Sequence, residues 1–319
     1  MKAIVCTKYG PPEVLQLKEV EKPVPKNNEV LIKVYATAAT ASDSIIRGFK
    51  IPVKHRFPKG MIMNLMMRIV VGFKKPRKAI LGLVLAGNIE SVGKDIKRFR
   101  KGDQVYGFTG YGFGAYAEYK CMTEKDSTSG CLAIMPNNMS YEESAAISYG
   151  GIIAMHYIKM GPVRYGKKVL IYGASGAIGT VAVQLARYFG AEVTGVCSTK
   201  NLELVKSLGA DKVIDYTMEN SSDSLEKYDF ILDAVGKIKS SELKIQCKKA
   251  LTKNGKYISV DDGNPKLRSE YLTQLKEIIE AGSVKAVIDS TYPLEQIVEA
   301  HQYVDEGHKK GNVVITVKR

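Results

Sequence analysis

Residues 169–179 constrain the fold of this chain more than any other stretch. The apolar run 169–172 leads directly into a turn with closely spaced glycines, and an apolar stripe at helical spacing follows from Val181 to Phe189. Parallel α/β sheets bind dinucleotides at such a strand, glycine turn and helix, because the helix N-terminus offers free N–H groups and a positive dipole end to the pyrophosphate. The stretch therefore predicts a dinucleotide site.

Individual residues of the turn receive predicted roles. Gly176 would let the backbone approach the phosphates, Gly179 would let the helix lie close to the strand, and Ala174 stands where such motifs usually begin with glycine. The predicted cofactor-binding residues of the turn are Ala174, Ser175, Gly176, Ala177, Ile178 and Gly179. A similar turn also occurs in α/β proteins that bind no nucleotide, so its context decides the interpretation.

The sequence after the glycines alternates between strand and helix patterns. A helix pattern at 201–208 ends at Gly209. Strand patterns occur at 192–197, 213–214, 230–232 and 257–260. This alternation is typical of a parallel sheet wound on both faces, so we interpret the region as a Rossmann domain with the glycine turn at its first strand-to-helix connection.

The end of the second predicted strand indicates which dinucleotide binds. NAD sites usually carry Asp or Glu there, about 20 residues after the glycines, to bind the ribose 2′-hydroxyl. Residues 197–201 read Cys-Ser-Thr-Lys-Asn and contain no acid. The Ser198 hydroxyl and the Lys200 ammonium would attract a 2′-phosphate, so the strand end favours NADPH. The alternative is that Lys200 is only a solvated charge at a helix start.

Length and composition bound the class of protein. With 319 residues the chain is long enough for two domains, and 45% hydrophobic and 25% charged residues are ordinary for a globular protein. The five scattered cysteines show no disulfide-like spacing, and the sequence shows no signal-peptide pattern and no membrane-length apolar run. We therefore expect a cytoplasmic protein.

Positive charge is concentrated in one part of the chain. The net charge is +14, and all charged residues between Asp43 and Glu90 are basic. Within this block the stretch 61–71 is rich in methionine. It could be a core-packed helix, a mobile substrate lid, or a weak contact of residues 50–78 with an anionic membrane surface. Aromatic residues are few here, so we expect no dedicated nucleic-acid site.

The N-terminal part of the chain is β-rich, with strand patterns at 30–36, 83–92 and 114–121. Over essentially its whole length the chain resembles the medium-chain dehydrogenase/reductase family, in its zinc-independent quinone oxidoreductase branch. The glycine turn and several motifs carry this resemblance: Met-Lys-Ala-Ile at 1–4, Asn-Glu-Val-Leu-Ile-Lys-Val at 28–34, Lys-Gly-Asp-Gln-Val at 101–105, Gly-Ala-Tyr-Ala-Glu-Tyr at 114–119 and Gly-Asn-Val-Val-Ile at 311–315.

The resemblance implies an α/β protein of two domains. A GroES-like β-barrel catalytic domain would comprise residues 1–122 and 263–319, and a doubly wound Rossmann domain would comprise residues 123–262. We also expect a homodimer.

The resemblance also bears on metal. Zinc-dependent members carry a Cys after the strand at 30–36 and a Gly-His-Glu motif near position 83, where this chain has Ala-Ala-Thr-Ala-Ser-Asp at 38–43 and Gly-Leu-Val at 82–84. The four histidines show no ligand spacing, so we predict no bound metal. Without a metal to polarise an alkoxide, hydride delivery to an activated acceptor is favoured over alcohol oxidation.

The resemblance assigns further site residues. It matches seven positions to cofactor contacts: Ser198, Lys200, Tyr216, Val235, Gly236, Ser259 and Asn312. The candidate catalytic hydroxyls are Thr40, Tyr116 and Tyr149, which would bind the acceptor oxygen or supply a proton. The branch often has Val-Asn where this chain has Ala39 and Thr40.

The predicted function is an NADPH-dependent, zinc-independent reductase of a quinone or an α,β-unsaturated carbonyl. One alternative is an enoyl-thioester reductase, whose substrate phosphate the basic block could hold. Another is an NADPH-binding regulatory or membrane-associated protein with little turnover.

Overall fold

The structure is a computed structural model that describes residues 1–49, 65, 68–69, 71–236, 241–263, 265–266 and 268–317. The chain divides into two compact units. The N-terminal unit comprises Met1–Met135, Met139–Ser148 and Ile288–Arg319, and the central unit comprises Pro136–Asn138 and Tyr149–Val287.

The elements are numbered in chain order. The strands are β1 (Lys2–Cys6), β2 (Leu15–Glu19), β3 (Glu29–Ala39), β4 (Val84–Val92), β5 (Gln104–Phe108), β6 (Tyr119–Thr123), β7 (Cys131–Ile134), β8 (Lys168–Tyr172), β9 (Glu192–Cys197), β10 (Lys212–Asp215), β11 (Tyr228–Asp233), β12 (Leu251–Ser259), β13 (Ile288–Pro293) and β14 (Asn312–Thr316). The helices are α1 (Ala41–Gly48), α2 (Tyr141–Met160), α3 (Ala177–Tyr188), α4 (Leu202–Ser207), α5 (Glu242–Lys249), α6 (Ser269–Glu280) and α7 (Ile297–Glu306).

The N-terminal unit is built around a mostly antiparallel sheet. Its strand order is β13-β14-β3-β4-β5-β7, β6 also pairs with β3, and β1 and β2 form a separate ribbon. Apolar residues of β3 and β4 pack with α7 in one core that includes Ile32, Leu85 and Ile297. The strands predicted at 30–36 and 83–92 are confirmed.

The third predicted N-terminal strand differs from the structure. The pattern predicts a strand at 114–121, but β6 begins only at Tyr119. Gly114 has φ of +93°, and Ala117 makes only an isolated bridge to Ala3. The positive φ interrupts the extended backbone that regular pairing requires.

The central unit contains a five-stranded sheet of order β10-β9-β8-β11-β12, in which every pairing is parallel. The apolar runs of β8 and β11 are fully buried, as expected for strands covered on both faces. The predicted doubly wound sheet is confirmed. The last strand, β12, begins at Leu251, earlier than the pattern at 257–260 predicts. The pattern missed this first part because Thr252, Lys253 and Asn254 are polar.

The unit boundaries differ from the domain limits expected at 122/123 and 262/263. Helix α6 belongs to the central unit, where Asn138 donates to the carbonyl oxygen of Ile279 at 3.0 Å and Gln184 bonds the backbone of Lys285. The chain returns to the N-terminal unit only at Ile288.

Much of the basic, Met-rich block lies outside the described residues, including 50–64, 66, 67 and 70. Of its described residues, Leu65, Ile69 and Phe73 are about half exposed, and the Arg68 guanidinium lies 4.3 Å from the centre of the Phe49 ring. None of the helices among the described residues is both long and apolar enough to cross a membrane.

Candidate active site

The glycine turn after β8 begins one residue earlier than the motif predicts. Gly173 has φ of +83°, and the N–H groups of Gly173 and Ala174 both donate to the carbonyl oxygen of Val196, at 3.0 and 2.9 Å. A Cβ at Gly173 would lie 2.4 Å from Cγ2 of Val235. Gly173 is therefore the residue that the tight turn requires, and buried Ala174 replaces a glycine without a clash.

The other two glycines of the turn differ in what surrounds them. A Cβ at Gly179 would lie 2.1 Å from the carbonyl oxygen of Gly173, so close packing of α3 on the turn requires glycine there. A Cβ at Gly176 would meet only the same oxygen at 3.5 Å, an ordinary contact. The space above Gly176 is open, and the N–H groups at the start of α3 have no partner within a helix. This cradle fits the pyrophosphate of a dinucleotide.

At the end of β9, two of the predicted phosphate contacts differ in their exposure to solvent. Ser198 is half-buried, whereas Lys200 is exposed on the turn Thr199–Asn201. Tyr216 is 51% exposed, and its N–H donates to the carbonyl oxygen of Cys197 at 3.1 Å, which holds it beside β9.

An acid from the neighbouring strand lies close to this strand end. Asp215 closes β10 opposite Cys197, and its carboxylate accepts hydrogen bonds from the hydroxyls of Thr199 and Thr217 and from the N–H of Thr217. Partial desolvation raises the pKa of Asp215, but these hydrogen bonds outweigh it and hold the pKa below its usual value. Because Asp215 lies on β10, the pattern of residues 197–201 did not reveal this charge.

Buried Asp233, the last residue of β11, holds the loop of the predicted cofactor contacts Val235 and Gly236. Its Oδ1 accepts from the N–H groups of Val235 and Gly236, both at 3.1 Å. Its Oδ2 accepts from the hydroxyls of Tyr257 at 2.9 Å and of Ser259 at 3.2 Å.

The buried side chain of Lys244 completes this arrangement. Its Nζ donates to the carbonyl oxygen of Gly236 at 2.8 Å and lies 3.1 Å from Oδ2 of Asp233. Burial, and then the charge of Asp233, raise the pKa of Tyr257. The predicted residues Val235, Gly236 and Ser259 therefore meet around an ion pair that sequence reasoning missed. An acid at the end of an apolar strand was a signal for Asp233, but none pointed to Lys244.

In the N-terminal unit, Thr40 caps helix α1. Its hydroxyl accepts from the N–H of Asp43 at 3.1 Å and donates to Oδ2 of Asp43 at 2.7 Å, while the Thr40 N–H donates to the same oxygen. This capping box satisfies the start of the helix. Burial raises the pKa of Asp43 to about 6, against the opposing effect of its hydrogen bonds from Thr40, Gly82 and Tyr116.

Tyr116 lies in the same buried network. Its hydroxyl is 3.1 Å from Nε2 of His301, and Arg47 donates to Nδ1 of His301 at 2.9 Å and to Asp305 at 2.5 Å. Because arginine can only donate, Nδ1 accepts and the imidazole proton sits on Nε2. Burial, followed by the charge of Arg47, lowers the pKa of His301 to about 3, so the ring is neutral.

The predicted catalytic residues are thus placed in different surroundings. Thr40 and Tyr116 share the buried network, and the hydrogen of the Thr40 hydroxyl is committed to Asp43. Tyr149 is half-buried on α2 in the central unit, and Asn312 is buried at the start of β14. The geometry shows a capping role for Thr40, and the catalytic roles of all three hydroxyls stay predictions.

The described residues do not fit a zinc site. No three His, Cys, Asp or Glu side chains among them are grouped to hold a metal ion. Both ring nitrogens of His301 already bond Arg47 and Tyr116. Zinc independence stays a prediction.

Comparison with known proteins defines the family. A model described as "Alcohol dehydrogenase GroES-like domain" matches residues 26–131, and two models described as "Zinc-binding dehydrogenase" match residues 177–284 and 261–315. The chain belongs to the medium-chain dehydrogenase/reductase superfamily, in its quinone oxidoreductase branch. It is accordingly an oxidoreductase that uses a nicotinamide cofactor.

Individual relatives cover almost the whole chain. The 2-methylene-furan-3-one reductase of Solanum lycopersicum is 32% identical over 99% of this chain and 79% of its own length. The NADPH-dependent alkenal/one oxidoreductase, chloroplastic, of Arabidopsis thaliana is 31% identical over the same shares. The solved structure of the quinone oxidoreductase from Coxiella burnetii superposes with a TM-score of 0.82 at 26% identity, over 100% of this chain and 99% of that one.

Proposed function

We propose that this protein is an NADPH-dependent, zinc-independent reductase of quinones or α,β-unsaturated carbonyls. The observation that carries the proposal is the similarity, over 99% of the chain, to two relatives named as reductases of conjugated carbonyl compounds. Their common chemistry is hydride addition to an acceptor that is already electron-poor. Such an acceptor needs positioning and exclusion of water more than it needs a Lewis acid.

The central unit offers the groups that would hold the cofactor. The open space over Gly176 and the start of α3 would receive the pyrophosphate, and the rigid turn at Val235 and Gly236 would line the adenosine side. The absence of an acid from residues 197–201, at the carboxyl end of β9, supports NADPH. The carboxylate of Asp215 opposes it, although hydrogen bonds from Thr199 and Thr217 already stabilise that charge. The chemistry supplied by bound NADPH is hydride transfer from the nicotinamide ring.

A panel of acceptors tests the proposal. Oxidation of NADPH is followed with a simple quinone, a simple enone, a crotonyl thioester and no acceptor, each with and without a chelator. We expect turnover with the quinone or the enone that the chelator leaves unchanged. Turnover with the thioester alone would instead identify an enoyl-thioester reductase. Tight NADPH binding without turnover would indicate a regulatory protein, and inhibition by the chelator would contradict zinc independence.

A further inference from the structure

Asn201 joins the glycine turn to the end of β9. Its side-chain Nδ2 lies 3.1 Å from Oγ of Ser175 and 3.2 Å from Oγ of Ser198. Asn201 is 8% exposed, whereas both serines are half-buried and reach the surface. We call these three residues the Asn201 cluster.

The side chain of Asn201 is not used by the helix that it precedes. An asparagine at a helix start usually accepts a backbone N–H through its oxygen, but α4 has no such side-chain cap. Its Oδ1 is buried and has no hydrogen-bond partner among the residues that the structure describes. Because a buried acceptor without a partner is unfavourable, this oxygen points to a donor supplied by a ligand.

The two serines are left with hydrogens to donate. A hydroxyl has one hydrogen and two acceptor positions, and here each Oγ accepts from Nδ2 of Asn201. Neither hydroxyl donates to another described group. The amide therefore orients two O–H donors from different segments toward a common acceptor, and such donors bind an anion more strongly than a neutral oxygen.

We propose that Asn201 is the positioning and specificity-determining residue for the 2′-phosphorylated ribose of NADPH. It aligns the hydroxyls of Ser175 and Ser198 for phosphate oxygens, and its own Oδ1 accepts from a ribose hydroxyl. This inference rests on the proposed NADPH preference and deepens it. It also moves the main role away from Lys200, whose exposed ammonium contributes only a screened attraction.

The test measures binding of two nucleotide fragments by titration calorimetry, with no turnover needed. The probes are 2′,5′-ADP and 5′-ADP, which differ only in the 2′-phosphate. Asn201→Ala should weaken 2′,5′-ADP about tenfold, as expected for loss of charge-assisted hydrogen bonds, and 5′-ADP less than about threefold. Asn201→Asp should weaken 2′,5′-ADP further, because a carboxylate takes both serine hydrogens and repels the phosphate.

Two further variants keep the test decisive. Ser198→Ala removes one aligned donor and keeps the buried Asn201, whose Nδ2 still donates to Ser175, so it should also weaken 2′,5′-ADP selectively even if Asn201→Ala folds poorly. Lys206→Ala removes an exposed charge from α4, the helix that Asn201 precedes. Lys206 pairs with Glu203 at 3.3 Å, and this variant is the matched control that should bind like the wild type. Thermal unfolding of each variant verifies the fold.

Three outcomes would overturn the inference. Equal weakening of both probes would mean that Asn201 only supports the glycine turn. If Ser198→Ala kept the full preference for 2′,5′-ADP over 5′-ADP and Lys200→Ala lost it, the lysine would be the residue that determines specificity. A wild type that binds both probes equally would also remove the NADPH preference, while the acceptor panel would still decide whether the protein is a reductase.

Discussion

The two units of this protein contain polar clusters of opposite character. In the N-terminal unit the buried network of Thr40, Asp43, Arg47, Tyr116 and His301 makes its hydrogen bonds within the unit. In the central unit the Asn201 cluster leaves one buried acceptor and two hydroxyl hydrogens without protein partners among the described residues.

The contrast indicates what each cluster does. Buried polar groups that bond one another fix the geometry of the fold, and removal of one member leaves the others unpaired. Donors and acceptors that remain unpaired at a strand end destabilise the empty protein slightly and gain partners when a ligand binds. Perturbation of the network should therefore change stability, whereas perturbation of the strand end should change binding.

Arg47→Met should give the largest effect, because it breaks the buried network. It removes the arginine donor from the carboxylate of Asp305 and from Nδ1 of His301, which keeps only a long contact of 3.4 Å to the Ser44 hydroxyl among the described residues. The cost expected for such a break is about 3 kcal/mol of unfolding free energy. Urea denaturation measures it. The matched control is Arg187→Met, which breaks an exposed pair with Asp211 and should cost about 0–1 kcal/mol. If both variants lost similar unfolding free energy, the buried network would contribute no more to stability than an exposed ion pair.

Two substitutions in the glycine turn should have different effects: Gly179→Ala should lower stability, and Gly176→Ala should weaken nucleotide binding. At Gly179 the new Cβ meets backbone at 2.1 Å, so we expect about 2 kcal/mol lower stability from overpacking. At Gly176 it meets nothing closer than 3.5 Å, so stability should hold while the nucleotide loses its close approach. Denaturation and NADPH titration together measure both. If Gly176→Ala binds NADPH as tightly as the wild type, the cradle does not receive the pyrophosphate.

Local patterns predicted the strand, turn and helix of β8 and α3 well. The apolar run of β8, the glycine spacing and the period of α3 are all contained in about twenty consecutive residues, where short-range geometry decides the structure. Even there, two details depended on contacts outside the stretch. Val235 makes Gly173 the required glycine, and the turn Thr199–Asn201 exposes Lys200 while it buries Asn201.

Long-range partners explain what the sequence did not reveal. Arg47 and His301 are separated by 254 residues, and no periodicity links α1 to α7. His301 is fully buried, but its bonds to Arg47 and Tyr116 became visible only in the folded chain. Asp215 was missed for the same reason, since the order of strands in the sheet brings it to the end of β9.

The acid sensitivity of the network gives the smallest predicted effect. The pKa of His301 falls to about 3 from its usual 6.5, so in acid the unfolded chain binds a proton that the folded ring refuses, and stability falls as pH drops below 6.5. Between pH 7 and 5.5 this should cost the wild type about 1 kcal/mol more than His301→Asn, which keeps an acceptor for Arg47 and cannot titrate. Asp43 acts in the opposite direction below its pKa of about 6, but it is present in both proteins. Urea denaturation at the two pH values measures the difference, and equal losses in the two proteins would show that a charged His301 is tolerated in the folded state.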